Sequence, residues 1–568
     1  MKKIGFLMAA TALVAAGSAH AESHEGRATD GHLNIIYWQA PSLLNPYLSG
    51  GTKELEASSL VIEPLARYDE TGTMVPFLVD EIPTVDNGGV SEDLTTITWT
   101  LSEGIKWSDG TPLTAADAVF TWQYCTDPES GCAQLSNYND VESVEAVDDR
   151  TIKITFSVPK PFPYGPFVGA QSPIIQAAQF ADCLGAAAPT CTDANFAPIG
   201  TGPFVVTDFK ANDVASFVAN ENYRDPMKPA FATLNLKGGG DAASAARSVL
   251  ETGEFDYAWN LQVEPEILNQ MAAAGQGTVV SAFGTSVERM HVNQTDPDPE
   301  LGDERATVAH PHPFLTDPNV SRALSLAIDR EILVEAGYGS SGQPTCNVLP
   351  APAIYASTNN DWCLNYDPDE ANRLLDEAGW VMGDDGVRTK DGERLSILYQ
   401  TSTNSVRQGT QALVKQMWEE IGVETELRNI DGSVFFGGDP SSPDTFQKFF
   451  ADIEMYTNNF DGTDPERYMG NWACAEIPSP QTQWQGSNMQ RFCSEEYDAL
   501  VVEFGQTAAL EDRAALAIKM NDMLMNSGSI IPLVHRGGVS AHSNTLEGVL
   551  MNEWDSELWN IADWTRAE

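Results

Sequence analysis

The chain has 568 residues, too many for a single hydrophobic core, so we expect it to fold into two or more lobes. Its 81 acidic and 32 basic residues give a formal net charge of −49, which argues against binding of nucleic acid or anionic lipid. Because the acidic residues are spread along the chain, we interpret them as a solubilising surface rather than as a cation-binding tract.

The first 21 residues have the pattern of a cleavable secretion signal. Lys2 and Lys3 precede an apolar stretch over 4–16, and the Ala-His-Ala at 19–21 fits a small-x-small cleavage site. A membrane anchor is the alternative, but the apolar stretch is shorter than the roughly 20 residues that a spanning helix needs. The sequence therefore predicts a signal peptide over 1–21 and an exported, periplasmic mature chain.

A strand, a turn and a capped helix are predicted near residue 100, after an apolar strand that begins near residue 33. Ile97, Trp99 and Leu101 alternate with threonines, as in a half-buried strand. Thr114 is a good helix N-cap, and Asp117 three residues later can be its reciprocal partner. Many unrelated folds contain this local arrangement, so it does not by itself indicate a function.

The second half of the chain has the pattern of an α/β lobe, in which helices alternate with strands. Asp317 with Pro318 at the first helical position begins one helix, and Asp367 with Pro368 begins another that ends at Gly379. Further helices are predicted over about 408–421 and 510–525, and strands over 395–399, 423–427 and 530–534.

Eight cysteines fall into four pairs of near neighbours, which predicts local disulfides in an exported chain. The predicted pairs are Cys125 with Cys132, Cys183 with Cys191, Cys346 with Cys363, and Cys474 with Cys493. Zinc ligation is the alternative, but no Cys-x-x-Cys occurs and no histidine lies close to a pair. We expect no metal and no cofactor.

Several motifs, in their order and spacing, resemble the extracytoplasmic solute-binding proteins of peptide-type ABC importers, the family 5 dipeptide, oligopeptide and nickel binders. They are Trp107 to Asp117, Gly200 to Phe204, Asp317 to Arg330 and Tyr366 to Trp380. The loop between Cys474 and Cys493 resembles one in the dipeptide-binding members. The resemblance implies an α/β fold with two lobes, of the Venus-flytrap type, with an extra subdomain inserted in lobe I.

On this basis we expect lobe I over 32–285 plus 532–568, an inserted subdomain at about 74–195, and lobe II over 290–528. The expected hinge is where the chain crosses between the lobes, near Asn293 and near 530–532.

The resemblance implies a function in import rather than in catalysis. The chain would act as a monomer that captures short peptides in the periplasm and delivers them to an ABC permease and its ATPase subunits. An oligosaccharide, a nickel chelate or an opine remains an alternative ligand, because the same scaffold serves them all. A secreted hydrolase is disfavoured because the sequence has no Gly-x-Ser-x-Gly.

The resemblance assigns the ammonium group of a peptide ligand to Asp461, which precedes the Asp-Pro pair at 464–465 by three residues. The alternative is that Asp461 belongs to a local turn, since Gly462 follows it. The residues immediately upstream are expected to line the same pocket wall. They are Tyr456, Asn458, Asn459 and Phe460.

The ligand's carboxylate needs a cationic partner. The arginine that dipeptide binders use is absent from its expected place, which holds Thr401, and Arg407 six residues later is the candidate. Tyr37 and Trp38 lie where the first strand is expected to meet the cleft. They are equally compatible with a pocket wall and with core packing.

Overall fold

The computed structural model describes residues 26–437, 441–460 and 462–567, so the predicted signal peptide and Asp461 lie outside the described residues. The helices in chain order are α1 (Thr52–Ser58), α2 (Ala115–Thr126), α3 (Ala177–Phe180), α4 (Thr192–Phe196), α5 (Ala242–Leu250), α6 (Pro265–Ala272), α7 (Pro318–Leu326), α8 (Arg330–Gly337), α9 (Pro368–Glu377), α10 (Ser405–Glu420), α11 (Gly432–Phe435), α12 (Glu466–Gly470), α13 (Glu495–Gln506) and α14 (Leu510–Ser527). None of the helices in these ranges has both the length and the apolar character that a bilayer crossing requires.

The strands in chain order are β1 (His32–Tyr37), β2 (Ala66–Tyr68), β3 (Met74–Pro76), β4 (Thr96–Thr100), β5 (Val141–Ala146), β6 (Thr151–Phe156), β7 (Phe204–Lys210), β8 (Val214–Ala219), β9 (Thr233–Gly238), β10 (Tyr257–Trp259), β11 (Gly277–Ala282), β12 (Val287–Val292), β13 (Gly342–Pro344), β14 (Val381–Met382), β15 (Arg388–Lys390), β16 (Glu393–Arg394), β17 (Ser396–Ser402), β18 (Glu424–Ile430), β19 (Ile453–Asn458), β20 (Ile530–Arg536), β21 (Gly538–Ser543), β22 (Leu546–Glu547) and β23 (Thr565–Arg566).

Two large sheets organise the molecule. The first has the order β11-β21-β10-β1-β9-β8-β7, and the second has the order β13-β20-β12-β19-β17-β18. In the first sheet β1 is parallel to both of its neighbours, with Ile35 opposite Leu236 on one side and Tyr257 on the other. In the second sheet β12 is antiparallel to both β19 and β20. Each sheet carries its own buried apolar core.

A smaller sheet, β4-β6-β5, packs with α2 in the first half of the chain. Trp99 on β4 is fully buried, as the alternating pattern predicts. The predicted capping box is present, because the Asp117 carboxylate accepts from the Thr114 backbone N–H over 2.9 Å. The two cysteine pairs of this region and the two of the second half form the four predicted disulfides.

The predicted helices of the second half are confirmed, with small changes at their ends. The Asp317 and Asp367 side chains cap α7 and α9, and Gly379 follows α9 with a φ of +88°. α10 begins at Ser405, earlier than predicted, because the Asn404 side chain accepts from the backbone N–H of its first turn. The helix boundaries therefore follow the capping residues rather than the first apolar position.

The chain passes between the two large sheets at 283–286 and again at Gly537. These positions differ from the expected crossings near Asn293 and near 530–532. The reason is that β12 and β20 remain paired within the second sheet as far as Val287 opposite His535. Both crossings therefore lie together at one end of this strand pair.

Candidate functional site

The two large sheets approach each other at the carboxyl ends of β10, β17 and β19, and we call the region between them the cleft. Asn404, after β17, donates from Nδ2 to the Gln262 carbonyl, which follows β10, over 3.3 Å. Next to it, the Ser405 hydroxyl donates to Glu264 Oε2 over 3.2 Å. Ligands of open α/β sheets bind at the carboxyl ends of strands, so this cleft is the candidate site.

A buried charged group lies inside the cleft, and we call Arg407, Arg536, Glu288 and Thr457 the arginine cluster. Arg407 donates from Nε to Glu288 Oε1 over 2.8 Å and from Nη1 to the Ser402 hydroxyl over 2.9 Å. The Thr457 hydroxyl donates to the other oxygen of the Glu288 carboxylate. The cluster therefore joins β12, α10 and β19 through one carboxylate.

Arg536 connects this cluster to the first sheet. It donates from Nη1 to the Thr457 hydroxyl over 3.1 Å and from Nη2 to the Asn260 side-chain oxygen. Because Asn260 follows β10 and Thr457 lies on β19, a single guanidinium bridges the two sheets. Arg536 can bridge the two sheets because it is the last residue of β20, directly before the crossing at Gly537.

The arginine cluster carries a surplus of positive charge. Burial alone raises the pKa of Glu288, but Arg407 and then Arg536 outweigh that effect and hold the pKa below its usual range, so the carboxyl is ionised. Burial, with the neighbouring Glu557, raises the pKa of Glu553, a second carboxyl near Arg536, to about 8. At neutral pH, the two guanidinium groups therefore face the full charge of Glu288, while Glu553 is largely protonated and Glu557, with a pKa of about 7, adds a partial negative charge near Arg536.

An aromatic wall of four rings stands beside the cluster: Phe435, Phe436, Phe446 and Tyr456. The Tyr456 ring lies 5.2 Å from Phe446 and 6.0 Å from Phe436 between centroids. Phe436 also lies 5.8 Å from the Arg407 guanidinium carbon. Phe436 and Phe446 are only partly buried, so this wall offers apolar surface next to charge.

The segment that follows β19 is firmly held up to the last described residue before 461. Asn458 ends the strand opposite Val287, and its side-chain oxygen accepts from the Asn459 backbone N–H over 2.9 Å. Phe460 exchanges two hydrogen bonds with the Thr285 hydroxyl, at 2.9 and 2.8 Å. Tyr456 and Phe460 are buried, with Tyr456 stacked on His291 and Phe460 packed on Tyr468, whereas Asn458 and Asn459 are partly exposed at the carboxyl end of β19. The predicted Asp461 lies outside the described residues.

The two aromatic residues at the end of the first strand have different places. Tyr37 is fully buried and stacks on Trp259 with ring centroids 4.6 Å apart, as a core residue does. Trp38 donates from its indole nitrogen to the Asn260 carbonyl over 2.8 Å. Since Asn260 also accepts from Arg536, Trp38 lies near the arginine cluster, although its ring is buried in an apolar cluster with residues of α5 and α6.

Sequence reasoning missed Glu288, Arg536, Thr457 and Asn260. A usable signal exists for Glu288 and Arg536, because each is a charged residue within or at the end of an otherwise buried strand. Buried charges need partners, so such residues point to a paired cluster. Nothing local in the sequence indicates that these two residues meet.

A second set of contacts joins the region of the smaller sheet to α12. Lys160 pairs with Glu466 over 2.8 Å and with Asp140 over 2.7 Å. Arg467 donates to the Gln134 side-chain oxygen over 3.0 Å and to the Ser136 hydroxyl over 2.8 Å. The parts of the chain that carry the two large sheets are therefore bridged in two separate places.

Known proteins share this architecture. A family model described as bacterial extracellular solute-binding proteins, family 5 middle, matches residues 73–478. The glutathione-binding protein GsiB of Escherichia coli (strain K12) is 24% identical over 464 residues, which cover 81% of each chain.

Two solved structures give the fold. NikZ from Campylobacter jejuni, in complex with Ni(L-His), has a TM-score of 0.79 at 21% identity and covers 94% of this chain and 99% of its own. The oligopeptide-binding protein AppA from Bacillus subtilis, in complex with a nonapeptide, has a TM-score of 0.78 at 20% identity and covers 95% and 100%. These similarities confirm the predicted two-lobed α/β fold.

Proposed function

Since the chain belongs to the bacterial extracellular solute-binding proteins of family 5, we propose that it captures short peptides and delivers them to the membrane permease of an ABC importer. The observation that carries this proposal is the pairing of the arginine cluster with the aromatic wall in one cleft between two sheets. A peptide offers a carboxylate for the first and apolar side chains for the second. A neutral sugar offers no charged partner for the surplus guanidinium.

We assign the two ends of the peptide to opposite charges. The surplus positive charge of Arg407 and Arg536 over Glu288 attracts the ligand's carboxylate, and Asp461 binds the ammonium group. Asp461 follows directly after Phe460, whose backbone is held by Thr285. Tyr456, Asn458, Asn459 and Trp38 contribute to the walls between these ends.

The bridges between the parts of the chain that carry the two large sheets support a closing mechanism. Lobe I corresponds to the first large sheet with its inserted subdomain, and lobe II corresponds to the second sheet, with the hinge at 283–286 and Gly537. A peptide that contacts both lobes favours the closed form by the contacts it makes only there. The closed form then docks on the permease, and ATP hydrolysis by the partner subunits drives transport.

The protein performs this function as a monomer in the periplasm after removal of residues 1–21, and it does not cleave its ligand. Mass spectrometry of the ligand that co-purifies with the exported protein tests the proposal. We expect intact peptides of two to six residues in the wild type and less peptide in an Asp461→Asn variant prepared in parallel. An opine, an oligosaccharide or a nickel chelate in place of peptide would overturn it.

A further inference from the structure

A cavity separate from the cleft lies beside the start of β20. It is enclosed by α7, by the end of α14 and by the loop that the Cys346–Cys363 disulfide closes. The cleft lies at the other end of β20, at Arg536, roughly 13 Å along the strand from Pro532, the last strand residue that lines the cavity. We call this cavity the Arg322 pocket, because Arg322 is the charged residue that lines it.

The lining of this pocket is positively charged, whereas the molecule as a whole is strongly negative. No aspartate or glutamate is among its lining residues, although acidic residues outnumber basic ones 81 to 32 in the chain. A second cavity, on the first lobe, shows the contrast. Its Arg224 and Lys228 are paired with Glu63 and Asp563, which line the same space.

Arg322 offers a guanidinium without a carboxylate partner. It lies 4.1 Å above the Trp362 ring, and among the described residues no ion pair or hydrogen bond joins it to an acid. Glu370 lies within electrostatic range, but both of its carboxylate oxygens accept from Arg373. The contact with the Trp362 ring holds the exposed guanidinium group at the pocket while leaving its N–H groups free to donate.

A second arginine behind the pocket wall adds to the positive potential. Arg330 is fully buried and donates to the carbonyl oxygens of Ser325, Cys363 and Pro532, all three of which line the pocket. Within the described ranges its partners are neutral oxygens only, and burial lowers the pKa of Arg330 to about 9. A buried cation without a counter-ion stabilises a nearby anion, because the interior screens the interaction weakly.

We propose that the Arg322 pocket is a binding site for a small oxyanion, with phosphate as the preferred form and a carboxylate as the weaker one. The free N–H groups of Arg322 bind the oxyanion, and the exposed side-chain amides of Asn319 and Asn526, which also line the pocket, add donors. The Arg330 charge favours a dianion over a monoanion. The site is independent of peptide capture, since it shares no residue with the cleft.

The experiment uses the full mature protein and compares sodium phosphate with sodium chloride at equal ionic strength. Calorimetric titration and thermal unfolding are measured for the wild type, for Arg322→Gln, and for Arg247→Gln as a matched control. Arg247 is an exposed arginine on α5 that pairs with Glu251. Sodium acetate forms a third arm that separates phosphate from carboxylate binding.

We expect phosphate to raise the melting temperature by several degrees more than chloride, and acetate to give a smaller rise. We expect Arg322→Gln to lose at least tenfold in phosphate affinity while keeping the wild-type melting temperature in chloride, and Arg247→Gln to keep wild-type affinity. Equal shifts in phosphate and chloride, or unchanged phosphate affinity in Arg322→Gln, would overturn the assignment.

Discussion

Arg407 and Glu288 form an ion pair at 2.8 Å, in which both side chains are at most 5% exposed. The pair ties the first turn of α10 to β12. The sequence made Arg407 the candidate for the ligand's carboxylate, and the structure shows that this guanidinium neutralises a buried acid. A change at Arg407 therefore affects both the stability of lobe II and the charge of the cleft.

Replacing Arg407 by glutamine should destabilise the fold, because it leaves the Glu288 carboxylate buried with less compensation. Breaking a buried pair in this way costs about 3–5 kcal/mol. Chemical denaturation of Arg407→Gln against the wild type measures the loss. The double variant with Glu288→Gln should recover a large part of it, because no unpaired charge remains. Wild-type stability in the single variant would show that the pair is unimportant for the fold.

Arg536 should contribute to affinity through the ligand's carboxylate. We expect Arg536→Gln to weaken binding of a free peptide by about 1.5–3 kcal/mol, the range for a charge-assisted hydrogen bond. A peptide with an amidated carboxyl terminus should bind the wild type weakly and should be insensitive to the substitution. Calorimetry with the two peptides on both proteins gives the four affinities needed. Equal losses for both peptides would assign Arg536 to closure of the lobes instead.

The Asp461 assignment makes the complementary prediction for the amino terminus. Asp461→Asn should weaken peptide binding by about 1.5–3 kcal/mol, and N-acetylated peptides should bind poorly to the wild type. Asp369→Asn, at an exposed position on α9, is the matched control and should bind peptide normally. If the wild type bound acetylated and free peptides equally, Asp461 would have no ammonium partner.

The class of fold and many helices and strands of the second lobe could be predicted from the sequence alone. The ends of these helices have local physical causes, so they could be predicted directly. The caps are Asp317 and Asp367, and the residue that ends the second helix is Gly379. The crossings between the two sheets could not be predicted from local sequence. The strand that follows 283–286 pairs with a strand almost 250 residues away, and the register of that pair decides where the chain leaves the sheet. The arginine cluster was missed for the same reason, since its members come from four distant elements.

One partly buried residue, Glu553, packs against both chain crossings between the sheets. Glu553 lies so close to Gly284 and Gly538 that a Cβ at either glycine would overlap it. Glu557 and Glu56 are buried nearby, with Glu557 accepting from the Ser540 hydroxyl over 2.6 Å. Burial raises the pKa of Glu553 to about 8 and that of Glu557 to about 7, so the folded protein retains protons that the unfolded chain has released.

Stability should therefore fall as the pH rises across this range. A carboxyl with a raised pKa binds its proton more tightly when folded, so its contribution is complete below about pH 4.5 and is lost as the pH passes through 7 to 8. Glu553→Gln should match the wild type at pH 5 and melt several degrees higher at pH 8.5. Glu92→Gln, an exposed control, should leave the pH profile unchanged. Parallel pH profiles for Glu553→Gln and the wild type would remove the role of Glu553 in this dependence.

A thermal-shift screen of di- to hexapeptides, nickel–histidine chelates and oligosaccharides, followed by mass spectrometry of the peptides, tests the peptide-binding function most directly. A ligand that binds only the native state raises the melting temperature by mass action. We predict a rise with free peptides, little rise with peptides blocked at either end, and recovery of every peptide intact. A rise confined to nickel chelates or oligosaccharides would contradict peptide capture, and cleaved peptides would place the protein among the hydrolases.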